Sequence, residues 1–242
     1  MRNDNTKTTF ATAMQRIWQS FTSSLGAIVF GMEDGTVSIF GLVFGVAASA
    51  PDSNAVLLAG ATGAISAAVS MMAGTYLDVS TERDKAHADI ADEQALLERN
   101  SARVVQDVRN DLLQAGFARA DAETAIAIMQ RTPGSILKYE AAFKLQIGAS
   151  ADQDPWAQSI WMFVTDLVAA FVPVLPFAFL PLDSARMVSL AVTALLLLGL
   201  GVGRGLIGHK SVIATALQTL GIGAAAGLAG ILMGSLIAAR AR

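Results

Sequence analysis

Three carboxylic acids lie inside long apolar stretches of the chain, where few other side chains could do chemistry. Glu33 and Asp34 interrupt the stretch 25–50, and Asp166 interrupts the stretch 156–182. An ionised carboxylate at the centre of a membrane helix costs roughly 2.5–3.5 kcal/mol on insertion scales, so such groups usually mark a path for ions or protons. These acids predict a cation-binding or proton-carrying function. For Asp166, the alternative is a protonated acid that only bonds a backbone carbonyl.

Two methionines in another apolar stretch add candidate metal ligands. Met71 and Met72 offer thioether sulfur, which favours transition metals over Ca²⁺ or Mg²⁺, although methionine in an apolar helix is more often a packing residue. Glu33 and Asp34 lie 100° apart on a helix, so we expect them to face different sites. Asp166 is expected to point inward, where Ser70 or Thr75 could donate a hydrogen bond to it.

The helices that position these residues follow from where charge is missing. A membrane span needs roughly 20 apolar residues, and residues 53–77, 187–203 and 211–239 carry no charge. We predict an all-α integral membrane protein in which a helical insertion separates the second and third of five transmembrane helices. The predicted spans are 25–50, 53–77, 157–181, 187–207 and 211–238.

Composition excludes several classes of protein. The 242 residues are 53% apolar and only 15% charged, against about 25% charged in average soluble domains. A net charge of −3 gives no basic patch for nucleic acid. The absence of cysteine and the presence of only two histidines exclude thiolate and histidine-rich zinc sites. No nucleophile–base pair, phosphate loop or cofactor motif is present, so we expect neither an enzyme nor a permanently bound cofactor.

The remaining segments are polar. Residues 1–24 are predicted to form an amphipathic helix at the bilayer surface, with Phe10, Met14, Ile17 and Phe21 on its apolar stripe. The prediction therefore divides the chain into four segments. They are an interfacial helix (1–24), the first and second spans (25–77), a cytoplasmic helical domain (78–155) and the third to fifth spans (156–242).

The segment 78–155 is predicted to contain three helices. The first continues from Tyr76 to about Ala115, the second runs from an Asp121 cap to Arg131, and the third covers 135–146. Its weak metal-binding candidates share carboxylate or imidazole chemistry on the first helix: Glu82, Asp84, His87, Asp89 and Glu93. A solvated helix face explains them equally simply.

The distribution of basic residues sets the orientation. Of the 17 Lys and Arg residues, 14 lie before the first span, in segment 78–155 or between the fourth and fifth spans. The positive-inside rule therefore places the N-terminus and segment 78–155 in the cytoplasm.

Small residues recur at four-residue spacing in several spans. In lipid, such pairs let helix backbones approach closely, either within one chain or across a dimer seam. The pairs are Gly31/Gly35, Gly41/Gly45, Gly201/Gly205, Gly223/Gly227 and Gly230/Gly234. Pro173, Pro176 and Pro181 should break the end of the third span, leaving carbonyls that must face protein or water.

Two of these stretches resemble the signatures of a known family. Residues 31–41 (GMEDGTVSIFG) are similar to the first span of the vacuolar iron transporter family, and residues 67–77 (AAVSMMAGTYL) to its second span. Residues 173–177 (PVLPF) resemble the end of its third span, and residues 221–234 its glycine-rich fifth span. The chain is identified as a divergent, bacterial-type member, for which an inner-membrane location is expected.

The resemblance implies a homodimer that exports Fe²⁺, and Mn²⁺ as a second cargo, from the cytoplasm in exchange for protons. Asp34 and Met71 fall on the family's translocation-path Asp and Met, and we add Glu33, Met72 and Asp166 as candidates for the same path. Thr75 stands where the family usually has Glu. The family's Glu-x-x-Glu spacing is degraded in segment 78–155, so we expect weak metal binding there, or none.

Two functional hypotheses follow. The first is a proton-coupled transporter of divalent metal, whose partners are the ion, protons, the bilayer and a second copy of the chain. The alternative is a membrane scaffold or regulatory subunit on the same fold that has lost transport. A water-accessible Asp34 favours the first, whereas acids capped by side chains in a dry interior favour the second.

Overall fold

The computed structural model describes residues 14–15, 17–18, 20–132, 134–144 and 152–240. Helices make up its regular structure, and the described residues contain no strand. The helices are α1 Leu25–Ala47, α2 Ser53–Arg99, α3 Ser101–Gln114, α4 Arg119–Arg131, α5 Ser135–Tyr139, α6 Pro155–Val174, α7 Pro176–Phe179, α8 Leu182–Ile207 and α9 Val212–Arg240. Five of them (α1, α2, α6, α8 and α9) are long and apolar enough to cross a membrane, which confirms the predicted all-α class.

The chain divides into two compact units. Met1–Tyr76 and Trp156–Arg242 form the first, which we call the span unit, and Leu77–Pro155 forms the second, which we call the helical unit. The helical unit thus falls between the second and third spans of the sequence.

Close glycine contacts join α1 to α9. A Cβ atom added at Gly45 would lie 2.8 Å from the carbonyl oxygen of Gly230, and one at Gly41 would lie 2.9 Å from that of Ala226. Gly234 in turn has no room for a Cβ beside Gly45. The Gly41/Gly45 and Gly230/Gly234 pairs therefore pack within one chain, as the intramolecular alternative predicts.

Close glycine contacts also join α8 to α9. A Cβ atom at Gly201 would lie 2.5 Å from the Cα atom of Ala216, and one at Gly205 would collide with Thr215. These contacts fix the C-terminal end of α8 against the first turns of α9.

The third span ends at Val174 rather than at residue 181. Pro173 lies in the last turn of α6, and the chain continues into the short helix α7. The Ser189 hydroxyl donates a 2.7 Å hydrogen bond to the carbonyl of Pro173, and Ser53 donates one of 2.9 Å to Leu180. The broken end of the span is thus satisfied by protein donors, as predicted.

The core of the span unit joins α1, α2, α6 and α8. Val43, Val56, Ala64, Val174 and Ala185 are each fully buried in one cluster. Since lipid tails are as apolar as these side chains, the cluster stabilises the unit through close packing rather than through removal of apolar surface from water.

Part of the predicted interfacial helix is described. Residues 14–15, 17–18 and 20–23 are helical, and Met14, Ile17 and Trp18 are exposed. The indole nitrogen of Trp161 donates a 3.0 Å hydrogen bond to the Ser20 hydroxyl. Phe10 and the rest of the predicted stripe before residue 14 lie outside the described residues.

The helical unit differs from the prediction at its helix boundaries. The predicted helix to Ala115 is interrupted at Asn100, whose side chain accepts a 3.2 Å hydrogen bond from the amide of Arg103 and caps α3. Asparagine is among the best N-cap residues, so the break has a local cause that the prediction overlooked. Helix α4 begins at Arg119, which places Asp121 in its first turn rather than at its cap.

The third helix of this unit is short. Helix α5 ends at Tyr139 and continues as a π-helical turn over Glu140–Lys144; the predicted end at residue 146 lies outside the described residues. A small core of Val108, Leu112, Ala122 and Ile126 holds α3 to α4.

Candidate functional site

Helix α1 carries one stripe that the rest of the span unit covers only in part. Phe30, Asp34, Ser38 and Leu42 follow one another at four-residue spacing, which places them on one face of the helix. Phe30 is 54% and Leu42 37% exposed, Ser38 is exposed, and Asp34 is half-buried. We call these four residues the Asp34 stripe.

Another face of α1 is pressed against α6. A Cβ atom at Gly31 would lie 2.6 Å from the sulfur of Met162 and 3.1 Å from the Thr165 hydroxyl. One at Gly35 would lie 2.5 Å from the Asp166 carboxylate. The Gly31/Gly35 pair thus lets the α1 backbone approach Asp166. Gly35 directly follows Asp34 in the sequence.

Asp166 points inward, as predicted. Its side chain is fully buried, and neither carboxyl oxygen has a hydrogen-bond partner within the described residues. Asp166 interacts electrostatically with the Asp34 carboxylate. The predicted hydrogen bond from Ser70 or Thr75 is wrong, because Ser70 lies on the exposed side of α2 and Thr75 makes no such bond.

A cavity of about 590 Å³ opens between α1, the end of α8 and α9. Its apolar walls are Leu25, Val29, Phe30, Val37, Ile207 and Ile222, and its polar side chains are Glu33, Asp34, Arg204 and Thr219. The expectation that Glu33 and Asp34 face different sites is wrong. The cavity is bounded by three helices, and two side chains that lie 100° apart on α1 both line it.

Glu33 is held within this cavity by α8 and α9. Arg204 Nη1 donates to Glu33 Oε2 at 3.2 Å and to Oε1 at 3.5 Å, and the Thr219 hydroxyl donates to Oε1 at 3.1 Å. We call Glu33, Arg204 and Thr219 the Glu33 cluster. Among the described residues, the Asp34 carboxylate has no hydrogen-bond or ion-pair partner. Glu33 is therefore held by protein donors, whereas its neighbour Asp34 is not.

The sequence analysis missed Arg204 and Thr219. Arg204 was counted among the charges between the fourth and fifth spans, whereas it lies in the last turn of α8 and faces the cavity. A signal was present: Arg204 lies inside the predicted span 187–207, where a basic side chain needs an acidic or aqueous partner.

The candidates on α2 lie away from this cavity. Met71, Met72 and Thr75 are half-buried, and none of them lines the cavity. Within one chain, Asp34 and Glu33 therefore line the same cavity, and the described residues that line it do not include Met71 or Met72.

The candidates in the helical unit are not gathered into a site. Glu82, Asp84 and His87 are exposed on α2, and Asp84 pairs with Arg83 at 3.6 Å. Asp89 is half-buried and Glu93 is 8% exposed. Within the described residues, three or more His, Asp or Glu side chains nowhere converge as metal ligands would.

Comparison with known proteins identifies the family. The profile of the VIT family matches residues 25–235. Vacuolar iron transporter 2 of Oryza sativa subsp. japonica is 26% identical over 179 residues, which is 74% of this chain and 73% of the relative. Protein CCC1 of Saccharomyces cerevisiae is 26% identical over 155 residues, 63% of this chain and 48% of the relative. Vacuolar iron transporter 1 of Arabidopsis thaliana is 23% identical over 179 residues, 74% and 72% respectively. With five apolar helices inside the matched region, the chain is an integral membrane protein that belongs to the VIT family.

Proposed function

We propose that this chain exports a divalent transition metal, Fe²⁺ with Mn²⁺ as a second cargo, from the cytoplasm in exchange for protons. The observation that carries the proposal is Asp34, a carboxylate without a protein partner among the described residues that lines a cavity within the spans. An intramembrane acid in this position is expensive unless it binds a cation or a proton. The names of the relatives, vacuolar iron transporters, indicate the class of cargo.

The second ligand in this proposal is Met71, and a second copy of the chain completes the site. The Asp34 stripe on α1 is only partly covered, and Met71 is half-buried on α2, whose spanning part is exposed along much of its length. A two-fold axis along α1 and α2 would double both ligands, giving two carboxylates and two thioethers for a metal of intermediate softness. Met72 and Thr75 are then second-rank candidates along the same path.

Asp166 is the proton-carrying group in this proposal. It is fully buried beside α1 without a hydrogen-bond donor, where an ionised carboxylate would keep a large desolvation cost. Its electrostatic interaction with Asp34 would couple cation binding at one acid to proton release at the other. It would thereby replace the Glu that the family usually has at the position of Thr75.

The proposed membrane is a bacterial inner membrane, with the N-terminus and the helical unit in the cytoplasm. The support is the charge distribution: 13 of the 17 basic residues, Arg204 not counted, lie in the segments proposed to face the cytoplasm. The metal would then enter from the side where the cavity ends at Leu25 and Gly208.

The test is metal uptake into proteoliposomes that contain the purified full-length chain. We expect Fe²⁺ and Mn²⁺, but not Ca²⁺, to enter above the level of empty liposomes, and an outwardly directed proton gradient to accelerate entry. Equal uptake of all three ions, or of none by a correctly folded chain, would contradict the proposal. The latter result would favour the scaffold alternative.

A further inference from the structure

The Glu33 cluster places a permanent positive charge inside the cavity that Asp34 lines. We propose that Arg204 is a built-in counter-cation, which occupies Glu33 and leaves Asp34 as the one uncompensated carboxylate among the described residues that line the cavity. This inference rests on the proposed function, in that the ion received by the cavity is a divalent metal. It assigns to Arg204 and Glu33 the role of setting how tightly that ion is held.

The geometry indicates that Arg204 holds the Glu33 carboxylate in a defined ion pair rather than in a loose surface pair. The Glu33 side chain is 17% exposed and that of Arg204 37%, so both are largely withdrawn from solvent. Both Glu33 oxygens accept hydrogen bonds, one from Arg204 alone and the other from Arg204 and Thr219. Guanidinium stays protonated under all ordinary conditions, so its charge cannot be removed by a change of pH.

The charge balance explains why this matters for a transporter. Without Arg204, Glu33 and Asp34 would present two negative charges to one cavity, and a divalent cation would bind more tightly between them. A permeating ion must bind well enough to enter and weakly enough to leave. Arg204 lowers the negative charge of the cavity by one and so favours release.

A second explanation is that the pair only holds α1 against α8 and α9. Under that explanation, removal of Arg204 would lower the stability of the span unit without tightening metal binding. The two explanations therefore differ in the direction of the change in metal affinity, which can be measured on the purified chain without transport.

The experiment measures Mn²⁺ binding to the full-length chain in detergent, with free Mn²⁺ followed by electron paramagnetic resonance, and Mn²⁺ uptake in proteoliposomes. For Arg204→Gln we expect Mn²⁺ affinity to rise by about tenfold, a conservative effect for a unit charge removed from a half-buried site. KM for uptake should fall with it, and kcat should also fall because release becomes slower. The double variant Arg204→Gln/Glu33→Gln should return to the wild-type affinity, since both charges are then absent.

Three further variants keep the inference falsifiable. Glu33→Gln alone leaves Arg204 uncompensated beside Asp34 and should weaken Mn²⁺ binding, so a folded form of either single variant is sufficient. Arg204→Lys keeps the charge and should retain the wild-type affinity. Arg186→Gln is the matched control: this other arginine of α8 pairs with Asp183 and donates to the Ala47 carbonyl, and its loss should leave Mn²⁺ affinity unchanged.

The outcomes separate this inference from the proposed function. Unchanged Mn²⁺ affinity in both single variants, or a gain in Arg204→Gln that persists when Glu33 is also replaced, would overturn it. If the wild-type chain fails to transport any metal while Arg204→Gln gains Glu33-dependent Mn²⁺ affinity, the proposed function fails and the role of Arg204 stands.

Discussion

The acids within the spans and the Arg109–Glu123 ion pair of the helical unit lie in different environments. In the span unit, Glu33 is enclosed by Arg204 and Thr219, and Asp166 is fully buried with no hydrogen-bond partner within the described residues. In the helical unit, Arg109 and Glu123 pair at 2.6 Å on an open surface. Water screens the Arg109–Glu123 pair, whereas the charges of the span unit act on one another in a poorly screened environment.

The difference shows where function can be inferred from charge. A solvated pair on a helix surface has many equivalent replacements, so its presence says little. An acid within a span has few equivalent replacements, because the free-energy cost of placing it in the membrane must be offset by a partner or by a functional ion. We therefore expect substitutions of the acids within the spans to change transport, and those of exposed charges, in either unit, to change little.

Asp34→Asn should have the largest effect, the loss of metal transport with folding and dimerisation intact. The amide keeps the shape of the side chain but removes the charge that a metal ion needs. Uptake of Fe²⁺ in proteoliposomes measures the loss, and chromatography in detergent measures assembly. Asp183→Asn is the matched control, because Asp183 is exposed at the start of α8. Normal uptake by Asp34→Asn would remove Asp34 from the mechanism.

Asp166→Asn should change the pH dependence of transport rather than abolish it. If Asp166 carries the proton, its amide variant cannot release one, so the uptake rate should vary less between pH 5 and pH 8, the range over which we would measure it. If Asp166 only packs between α1 and α6, thermal stability should fall while the pH profile keeps its shape. An unchanged profile would exclude the proton-carrying role.

Packing in the span unit can be separated from charge at its glycines. Gly45→Ala places a methyl group 2.8 Å from the Gly230 carbonyl, and overpacking of this kind costs about 1–3 kcal/mol. Gly199→Ala, on α8, meets nothing within 4 Å and should be neutral or stabilising by up to about 1 kcal/mol, since alanine favours helix over glycine. Thermal unfolding in detergent compares the two. Equal stability would mean that α1 and α9 separate easily at this point.

The sequence predicted the features that depend on single segments. Three of the five spans followed from uncharged stretches and two from apolar stretches that contain acids. The inward orientation of Asp166 followed from the cost of exposing it to lipid. Arg204 could not be assigned to Glu33, because the two are brought together only when α1, α8 and α9 pack. The cavity has the same origin, and for that reason the separation of Glu33 from Asp34 was predicted wrongly. Asn100 is different: its capping was readable from residue type, and the prediction overlooked it.

The helical unit should contribute little to metal binding. Glu82, Asp84 and His87 are exposed and do not converge on a site with other described ligands. Replacement of all three by Gln, Asn and Gln in the full-length Asp34→Asn chain should leave Fe²⁺ binding by calorimetry unchanged. Using the Asp34→Asn background removes the proposed site in the spans. Micromolar binding that disappears with the three substitutions would show that these residues assemble a site after all.

Glu123→Gln should have the smallest effect, confined to the stability of the helical unit. The hydrogen bond from Arg109 holds the pKa of Glu123 below its ordinary value near 4.5. A lowered pKa in the folded state means that the pair adds stability above the ordinary value, and that this contribution is lost as the pH falls through the folded-state pKa. Glu123 and Arg109 lie at the surface, so the contribution is small and decreases with added salt.

Amide hydrogen exchange of α3 and α4 in the full-length chain can detect this effect. Protection in Glu123→Gln should be slightly lower than in the wild-type chain at pH 7, and the two should converge as the pH falls through the folded-state pKa of Glu123. Raising the salt concentration at pH 7 should reduce the difference in the same direction. A large difference that persists below the folded-state pKa of Glu123 would mean that Glu123 acts through its packing against α3 rather than through its charge. The contrast between the two units would then rest on the spans alone.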